Sequence, residues 1–276
     1  MRKEKLGFTL IELSIVLVVI ALLAGGIVFG KALLAQAKLQ SIIINVDRFK
    51  KAAQLFRQKY QALPGDMANA TTFWGADATC NATAANITPK PATCNGDGNG
   101  IIGDTTSTPL ATSLGTTALN EYESYRAWQQ LANAGFVEGA YTGTLSSETA
   151  SNNLDPAMNV PAGRIAGSAY TLSYAQPIIV PSATTNFYGG NYRHIIVFGL
   201  PVSPFATPYT AALSTADALS IDQKVDDGKP GTGNVLSFTP ALAATANCAT
   251  TAAESTATYN TAVTGVQCSL IFITGF

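Results

Sequence analysis

The chain has 276 residues, of which 47% are hydrophobic and only 12% charged, and its formal net charge is −1. This near-neutral balance, without a basic patch interleaved with aromatic residues, argues against direct nucleic-acid binding. The single histidine, His194, has no second histidine or free thiol as an obvious partner, and no GxSxG, P-loop or HExxH sequence occurs. We therefore expect a non-enzymatic protein, with His194 at the edge of a strand.

An apolar segment follows a short basic leader at the N-terminus. The leader contains Arg2, Lys3 and Lys5, and the run from Phe8 to Phe29 has Glu12 as its only ionisable side chain. About 20 apolar residues in a helix span the hydrocarbon core of a bilayer. The positive charges of the leader keep the N-terminal end of this helix in the cytoplasm, so the rest of the chain is predicted to be exported.

A secretory signal peptide and a plain membrane anchor both fit this segment less well. A signal peptide has a shorter apolar region that ends at a small-residue cleavage site, whereas amphipathic sequence follows here. A plain single-pass anchor does not explain Glu12, because a carboxylate within an apolar span is costly and usually functional.

The sequence Gly7-Phe8-Thr9-Leu10-Ile11-Glu12 after a basic leader resembles the signal of type IV prepilins and type II secretion pseudopilins. The resemblance implies that prepilin peptidase cleaves between Gly7 and Phe8 and that Phe8 is then N-methylated. It also implies that Glu12 compensates the terminal amine of a neighbouring subunit. A buried amine and a buried carboxylate are each costly alone, which supports that pairing.

The same resemblance implies a location and partners. The protein would be a single-pass inner-membrane protein with a periplasmic domain, and would then enter a pilus or pseudopilus filament. Its partners would be prepilin peptidase, other pilin-like subunits, an inner-membrane assembly platform with its ATPase, and an outer-membrane secretin.

The type of filament stays open. Many thin-fibre pilins have a proline in the membrane helix, whereas this chain has Gly25, Gly26 and Gly30. Glycines weaken a helix or allow close packing between helices. Both a type IV pilus and a type II secretion pseudopilus remain possible, and the alternative from another class is a membrane-tethered, adhesin-like binding module that does not polymerise.

The N-terminal helix is predicted to continue beyond the membrane, from Phe8 to about Gln61. An apolar stripe at steps of three and four residues indicates an amphipathic helix, and it consists of Ile42, Val46, Phe49, Ala53, Phe56 and Tyr60. Leu63-Pro64-Gly65 ends it. The predicted organisation is a leader (1–7), a membrane half of the helix (8–29), an amphipathic half (30–62) and a globular domain (63–276).

The globular domain is predicted to contain an antiparallel sheet packed on the long helix, which gives an α+β fold. Short apolar runs bounded by Gly, Pro or Asn read as strands, namely Tyr170–Tyr174, Ile178–Val180, His194–Phe198, Val235–Phe238 and Ser269–Ile273. A second, short helix is predicted from Tyr122 to Leu131.

Four cysteines in an exported domain favour two disulfide bonds. Proximity along the chain suggests Cys80 with Cys94 and Cys248 with Cys268, which is one of three possible connectivities.

Two acidic segments are candidates for calcium binding. In the first, Asn95, Asp97 and Asn99 alternate with glycines as in the first half of an EF-hand loop. Thr106 stands where that loop has a bidentate Glu, and Asp104 lies two residues earlier. The alternative is a glycine-rich turn without a metal.

The second segment runs from Ser220 to Gly233 and is predicted to be a loop in which Asp222, Asp226 and Asp227 can bind calcium. Asp-Gly is also a strong hairpin-turn signal, so a turn is the alternative here. Calcium loops stabilise the sheet region of many pseudopilins, and the resemblance therefore supports both candidates.

Overall fold

The computed structural model describes residues 9–78, 80, 88–103, 123–144, 154–175, 186–201 and 207–276. They form an α+β protein with a long N-terminal helix and a four-stranded antiparallel sheet. The chain divides into two compact units, Met1–Ser41 and Ile42–Phe276, which are described separately below.

The described residues contain four α-helices and six β-strands. The helices are α1 (Leu10–Tyr60), α2 (Thr71–Trp74), α3 (Glu123–Asn133) and α4 (Thr215–Val225). The strands are β1 (Ala169–Ala175), β2 (Arg193–Gly199), β3 (Leu213–Ser214), β4 (Val235–Ser237), β5 (Val266–Cys268) and β6 (Leu270–Ile273).

Helix α1 agrees with the predicted helix to within two residues at its N-terminal end and one at its C-terminal end. It ends where Gln61 takes a left-handed backbone conformation with φ of 54°. This conformation is uncommon for residues other than glycine, and it turns the chain out of the helix before Pro64.

Most of the part of α1 in the first unit is exposed, and it is apolar as far as Phe29, whereas Leu39 near its end is buried. Leu22 and Phe29, for example, are each 72% exposed. By length and composition, α1 is the one helix among the described residues that can cross a membrane, and its most apolar window has a mean hydropathy of 2.8.

The main sheet of the second unit has the strand order β1-β2-β6-β4, with every neighbouring pair antiparallel. Strands β3 and β5 form a separate two-stranded ladder. Four of the predicted strands correspond to β1, β2, β4 and β6. The fifth, at 178–180, lies outside the described residues.

One face of the sheet packs on the second-unit part of α1. The predicted apolar stripe is buried there from Ile42 to Phe56, and Tyr60 is partly exposed. Phe49 lies with its ring centroid 4.9 Å from that of Trp128 on α3 and 5.2 Å from that of Tyr170 on β1. These edge-to-face contacts join the two helices and the sheet in one core.

The opposite face of the sheet is covered by aromatic side chains from irregular segments. Ile195 and Val197 of β2 belong to a buried cluster with Phe187 and Phe238. Because both faces are covered, β2 reads in the sequence as a continuous apolar run instead of an alternating one.

Helix α4 corrects one prediction. The segment from Ser220 was predicted to be a loop, but residues 220–225 are the end of this helix. Ser214 caps its N-terminus by accepting a hydrogen bond from the Asp217 amide, and Ala218 and Ile221 are buried. Asp226 follows as the C-cap, so Asp226-Asp227-Gly228 leaves a helix and does not join two hairpin strands.

The structure joins the cysteines in the pairing that chain proximity suggests. The Cα atoms of Cys80 and Cys94 are 5.6 Å apart, and those of Cys248 and Cys268 are 4.9 Å apart. The second bond ties an irregular segment to β5.

Candidate functional site

The first candidate site lies at the start of α1, where Thr9 and Glu12 form a capping box. The Glu12 carboxylate accepts hydrogen bonds from the Thr9 amide at 2.9 Å and the Thr9 hydroxyl at 2.8 Å. The Thr9 hydroxyl oxygen in turn accepts from the Glu12 amide at 3.2 Å. This reciprocal pair satisfies amides that the first turn of a helix otherwise leaves open.

The capping box also fixes the position of the negative charge of Glu12. Glu12 holds its carboxylate against Thr9, at the end of α1 that adjoins the predicted cleavage point. Gly7 and Phe8, the predicted processing residues, lie outside the described residues. The helix N-terminus favours a negative charge at this position.

The glycine-rich segment of the first predicted calcium site forms a series of tight turns. Asp97 accepts from the Asn99 amide at 3.0 Å, and Asn99 accepts from the Ile101 amide at 2.8 Å. The side-chain oxygen of Asn95 accepts from the Thr71 amide at 2.9 Å. Asp104, the fourth predicted ligand, lies outside the described residues.

The structure brings Asp97 to two carboxylates that were not predicted as ligands. Asp66, Asp97 and Glu123 each present an oxygen, and these oxygens all lie within 4.8 Å of one another. We call these three residues the carboxylate cluster. Asp66 follows the turn after α1, Asp97 lies in the glycine-rich segment, and Glu123 is the first residue of α3.

Backbone amides support the cluster. The two oxygens of Glu123 accept from the amides of Asp97 at 3.1 Å and Gly103 at 2.9 Å. One oxygen of Asp66, Oδ2, accepts from the Gly100 amide at 3.0 Å. The other, Oδ1, is buried, and no donor among the described residues reaches it.

Burial dominates the electrostatics of the cluster. Asp66 is 3% exposed and Glu123 1% exposed, whereas Asp97 faces solvent. Burial raises the pKa of Glu123 to about 8, and the nearby carboxylates add to the rise. Burial raises the pKa of Asp66 to about 6, with Asp97 adding to it. These directions indicate negative charges crowded together in a poorly solvated place.

Two glycines allow the three segments to approach so closely. A Cβ atom on Gly96 would lie 2.4 Å from the Gly65 carbonyl oxygen and 2.5 Å from the Asp66 Cα. A Cβ atom on Gly65, whose φ is +88°, would lie 2.2 Å from the Glu123 carbonyl oxygen. No other residue type fits at either position without moving the main chain.

The second predicted calcium site also assembles. Asp222, Asp226 and Asp227 present oxygens within 4.8 Å of one another. Asp222 lies on α4, is fully buried, and accepts from the Tyr259 hydroxyl at 2.9 Å and the Gly228 amide at 3.1 Å. Calcium binding at this place stays a prediction.

Hydrogen-bond donors of the protein already contact the carboxylates of this second group. Asp226 accepts from the Asn234 and Val235 amides, and Asp227 accepts from the Lys229 amide and the Thr232 hydroxyl. Hydrogen bonds of this kind are also typical of a turn that needs no metal.

His194 is buried on β2, near the carboxylate cluster. Its Nε2 accepts from the Ile102 amide at 3.2 Å, and its Nδ1 lies 3.0 Å from the Phe276 main-chain oxygen. Burial lowers its pKa, and Arg57 and Arg193 lower it further although the Phe276 contact opposes this. The neutral ring therefore acts as a structural link between the glycine-rich segment and the sheet. His194, Asp66 and Gly100 line an open cleft of about 900 Å³.

Comparison with known proteins gives one match. Residues 2–28 match the family described as the prokaryotic N-terminal methylation motif. Neither the curated proteins nor the solved structures include a significant match to the chain. The matched residues contain Glu12 and nearly all of the apolar run that begins at Phe8. The chain therefore carries the prepilin-type cleavage and methylation signal, which supports a pilin-like or pseudopilin precursor processed by prepilin peptidase.

Proposed function

We propose that this chain is a structural subunit of a pilin-like filament, either a type IV pilus or a type II secretion pseudopilus. Prepilin peptidase removes residues 1–7, Phe8 becomes the N-methylated terminus, and the N-terminal helix then packs with those of neighbouring subunits. The observation that carries the proposal is the methylation motif at 2–28, which includes the beginning of the exposed apolar helix α1.

The exposed apolar surface of α1 supports this proposal. Large aliphatic side chains from Leu10 to Leu34 are about half exposed or more. Soluble proteins rarely expose an apolar surface of this extent, so lipid or other helices must cover it. A bilayer covers it before assembly, and the helices of other subunits cover it in a filament.

The position of Glu12 supports the same conclusion. After cleavage at Gly7, the amine of Phe8 would lie one residue before Thr9, and in a filament such amines enter an apolar interior. An amine buried without a partner is strongly destabilising, and a carboxylate from a neighbouring subunit offsets that cost. The capping box keeps the Glu12 carboxylate at the start of the helix, close to the proposed new terminus, and this supports the pairing.

The second unit, Ile42–Phe276, would provide the outer surface of the filament. Its two disulfide bonds suit an extracytoplasmic compartment. The partners that follow from the proposal are prepilin peptidase, the inner-membrane assembly platform, its ATPase and other pilin-like subunits.

The test compares Glu12→Gln with the wild type in the native host. Glutamine can serve at the third position of a capping box, so the helix start is kept and only the charge is lost. Filaments sheared from the cells, or recovered from the periplasm, are quantified against the same subunit in membranes. We expect at least about a tenfold loss of filaments with an unchanged membrane pool, because a buried amine is left unpaired.

Asp47→Asn is the matched control, since it makes the same acid-to-amide change at an exposed position of α1. It is expected to assemble normally. Normal filaments from Glu12→Gln would contradict the proposed role of the charge. Failure of the wild type to enter any filament would instead favour the membrane-tethered binding module.

A further inference from the structure

We infer that Asp66, Asp97 and Glu123 bind one calcium ion in the second unit of the protein. The site differs from the predicted EF-hand-like loop, because two of its three carboxylates come from other segments. It does not depend on whether the chain polymerises.

The buried acidic residues of the second unit differ in whether a basic side chain neutralises them. Asp77 is buried and is neutralised by Lys90 at 2.7 Å and Arg126 at 3.3 Å. In the part of the chain that the structure describes, Asp66 and Glu123 have no ion pair with lysine or arginine. Buried charges are normally paired or bind metals, and the cluster has no lysine or arginine paired with it among the described residues, so a cation can supply the counter-charge in place of protons.

One oxygen of Asp66 also lacks a partner. Oδ1 is buried within a residue that is 3% exposed, and no donor among the described residues satisfies it. Most buried polar side-chain atoms have a partner, and an exception points to a missing ion or water. The adjacent Asp97 carboxylate can serve only while the pair holds a proton, because two ionised carboxylates are both acceptors, and a cation would take the place of that proton.

The spacing of the three carboxylates suits calcium. Calcium binds oxygen at about 2.3–2.6 Å, so two ligands on opposite sides of one ion are about 4.6–5.2 Å apart. The three carboxylate oxygens lie within 4.8 Å of one another, which one ion can span. Carboxylates are hard ligands, which favours calcium over softer transition metals.

The cluster is held in place and open to solvent on one side. The segments of Asp66 and Asp97 pack so closely against their neighbours that no Cβ atom fits at Gly65 or Gly96. Asp97 is exposed, and Asp66 lines the open cleft, so an ion can enter and keep water ligands on that side. Rigid ligands that converge before binding favour affinity.

The experiment titrates calcium chloride into the full chain in detergent micelles after treatment with EDTA, by isothermal calorimetry. We expect one ion per chain at the carboxylate cluster; a second ion would belong to the predicted site at Asp222, Asp226 and Asp227. At free calcium 100 times the dissociation constant, the unfolded fraction should fall about 100-fold relative to EDTA, which corresponds to a rise in Tm of several degrees.

Two variants test the ligands. Asp66→Asn and Glu123→Gln each remove one charge with little change in volume, and each should weaken calcium binding at least about tenfold. Asp66→Asn also gives Asp97 a hydrogen-bond donor, so the variant is expected to fold without metal. Circular dichroism shows whether each variant is folded. If Asp66→Asn does not fold, Glu123→Gln still tests the proposed ligands.

Asp227→Asn is the matched control, since it changes an exposed carboxylate of the second predicted calcium group. It should leave the affinity unchanged. The inference is overturned if the wild type does not respond to calcium, which would mean that the cluster holds protons instead. It is also overturned if binding survives both cluster variants and is lost in Asp227→Asn.

Discussion

Phe49 joins α1 to both α3 and the main sheet of the second unit. It is 2% exposed, and its ring contacts Trp128 and Tyr170 with centroid distances of 4.9 and 5.2 Å. Replacement of a buried Phe by Ala typically costs about 3–5 kcal/mol. Two edge-to-face pairs, each worth about 0.5–1.5 kcal/mol, place Phe49→Ala in the upper part of that range, at about 4–5 kcal/mol.

The assay is urea unfolding of the full chain in detergent, followed by tryptophan fluorescence, because Trp128 is fully buried beside Phe49. In a domain of this size the loss corresponds to a fall in Tm of roughly 8–20 °C. Phe73→Ala is the control, since Phe73 is 54% exposed and its removal should cost about 1 kcal/mol or less. Equal losses in the two variants would refute the assignment of Phe49 to the core.

Three further predictions follow from the second unit. Gly65→Ala should lower the free energy of unfolding by more than about 2 kcal/mol in a urea titration, because it combines positive φ with a main-chain clash. Gly135→Ala has a similar φ and open space, so it should show only the smaller cost of backbone strain; equal losses in the two variants would exclude the clash. A Cys248→Ser, Cys268→Ser double variant should lose about 3 kcal/mol in the same titration, and unchanged stability would contradict that pairing. His194, the single histidine, should show a pKa below 6.5 when it is titrated by NMR. Its contribution to stability should then be lost as the pH falls from 6.5 through the pKa of the folded protein. A measured pKa above 6.5 would contradict the burial of a neutral ring.

The long helix and most of the main sheet could be predicted because their patterns are local. The stripe from Ile42 to Phe56 repeats at helical spacing, and β2 is a continuous apolar run. Strands β3 and β5 have two and three residues, so they contain no periodicity that distinguishes them from a loop.

Two helix starts carry a signal that hydrophobic periodicity does not reveal. Ser214 is followed three residues later by Asp217, and Thr9 by Glu12, which is the spacing of a capping box. Interpreted in this way, the first pair predicts the start of α4, and the second gives Glu12 a role in the helix beside the role in assembly that we propose.

The carboxylate cluster could be predicted only in part. Asp97 stands in a recognisable glycine-rich pattern, but Asp66 and Glu123 reach it through tertiary packing. The proximity of Gly65 to Glu123 and of Gly96 to Asp66 becomes visible only when the three segments are folded together. A single sequence does not indicate which distant carboxylates meet.

The most direct test of the central claim is mass spectrometry of the N-terminal peptide, performed on filaments sheared from the native host and on its membranes. Processing and assembly predict a filament-borne peptide that begins at N-methylated Phe8 and contains Glu12. A chain found only in membranes, with an intact Met1 or a cleavage beyond Phe29, would contradict the account.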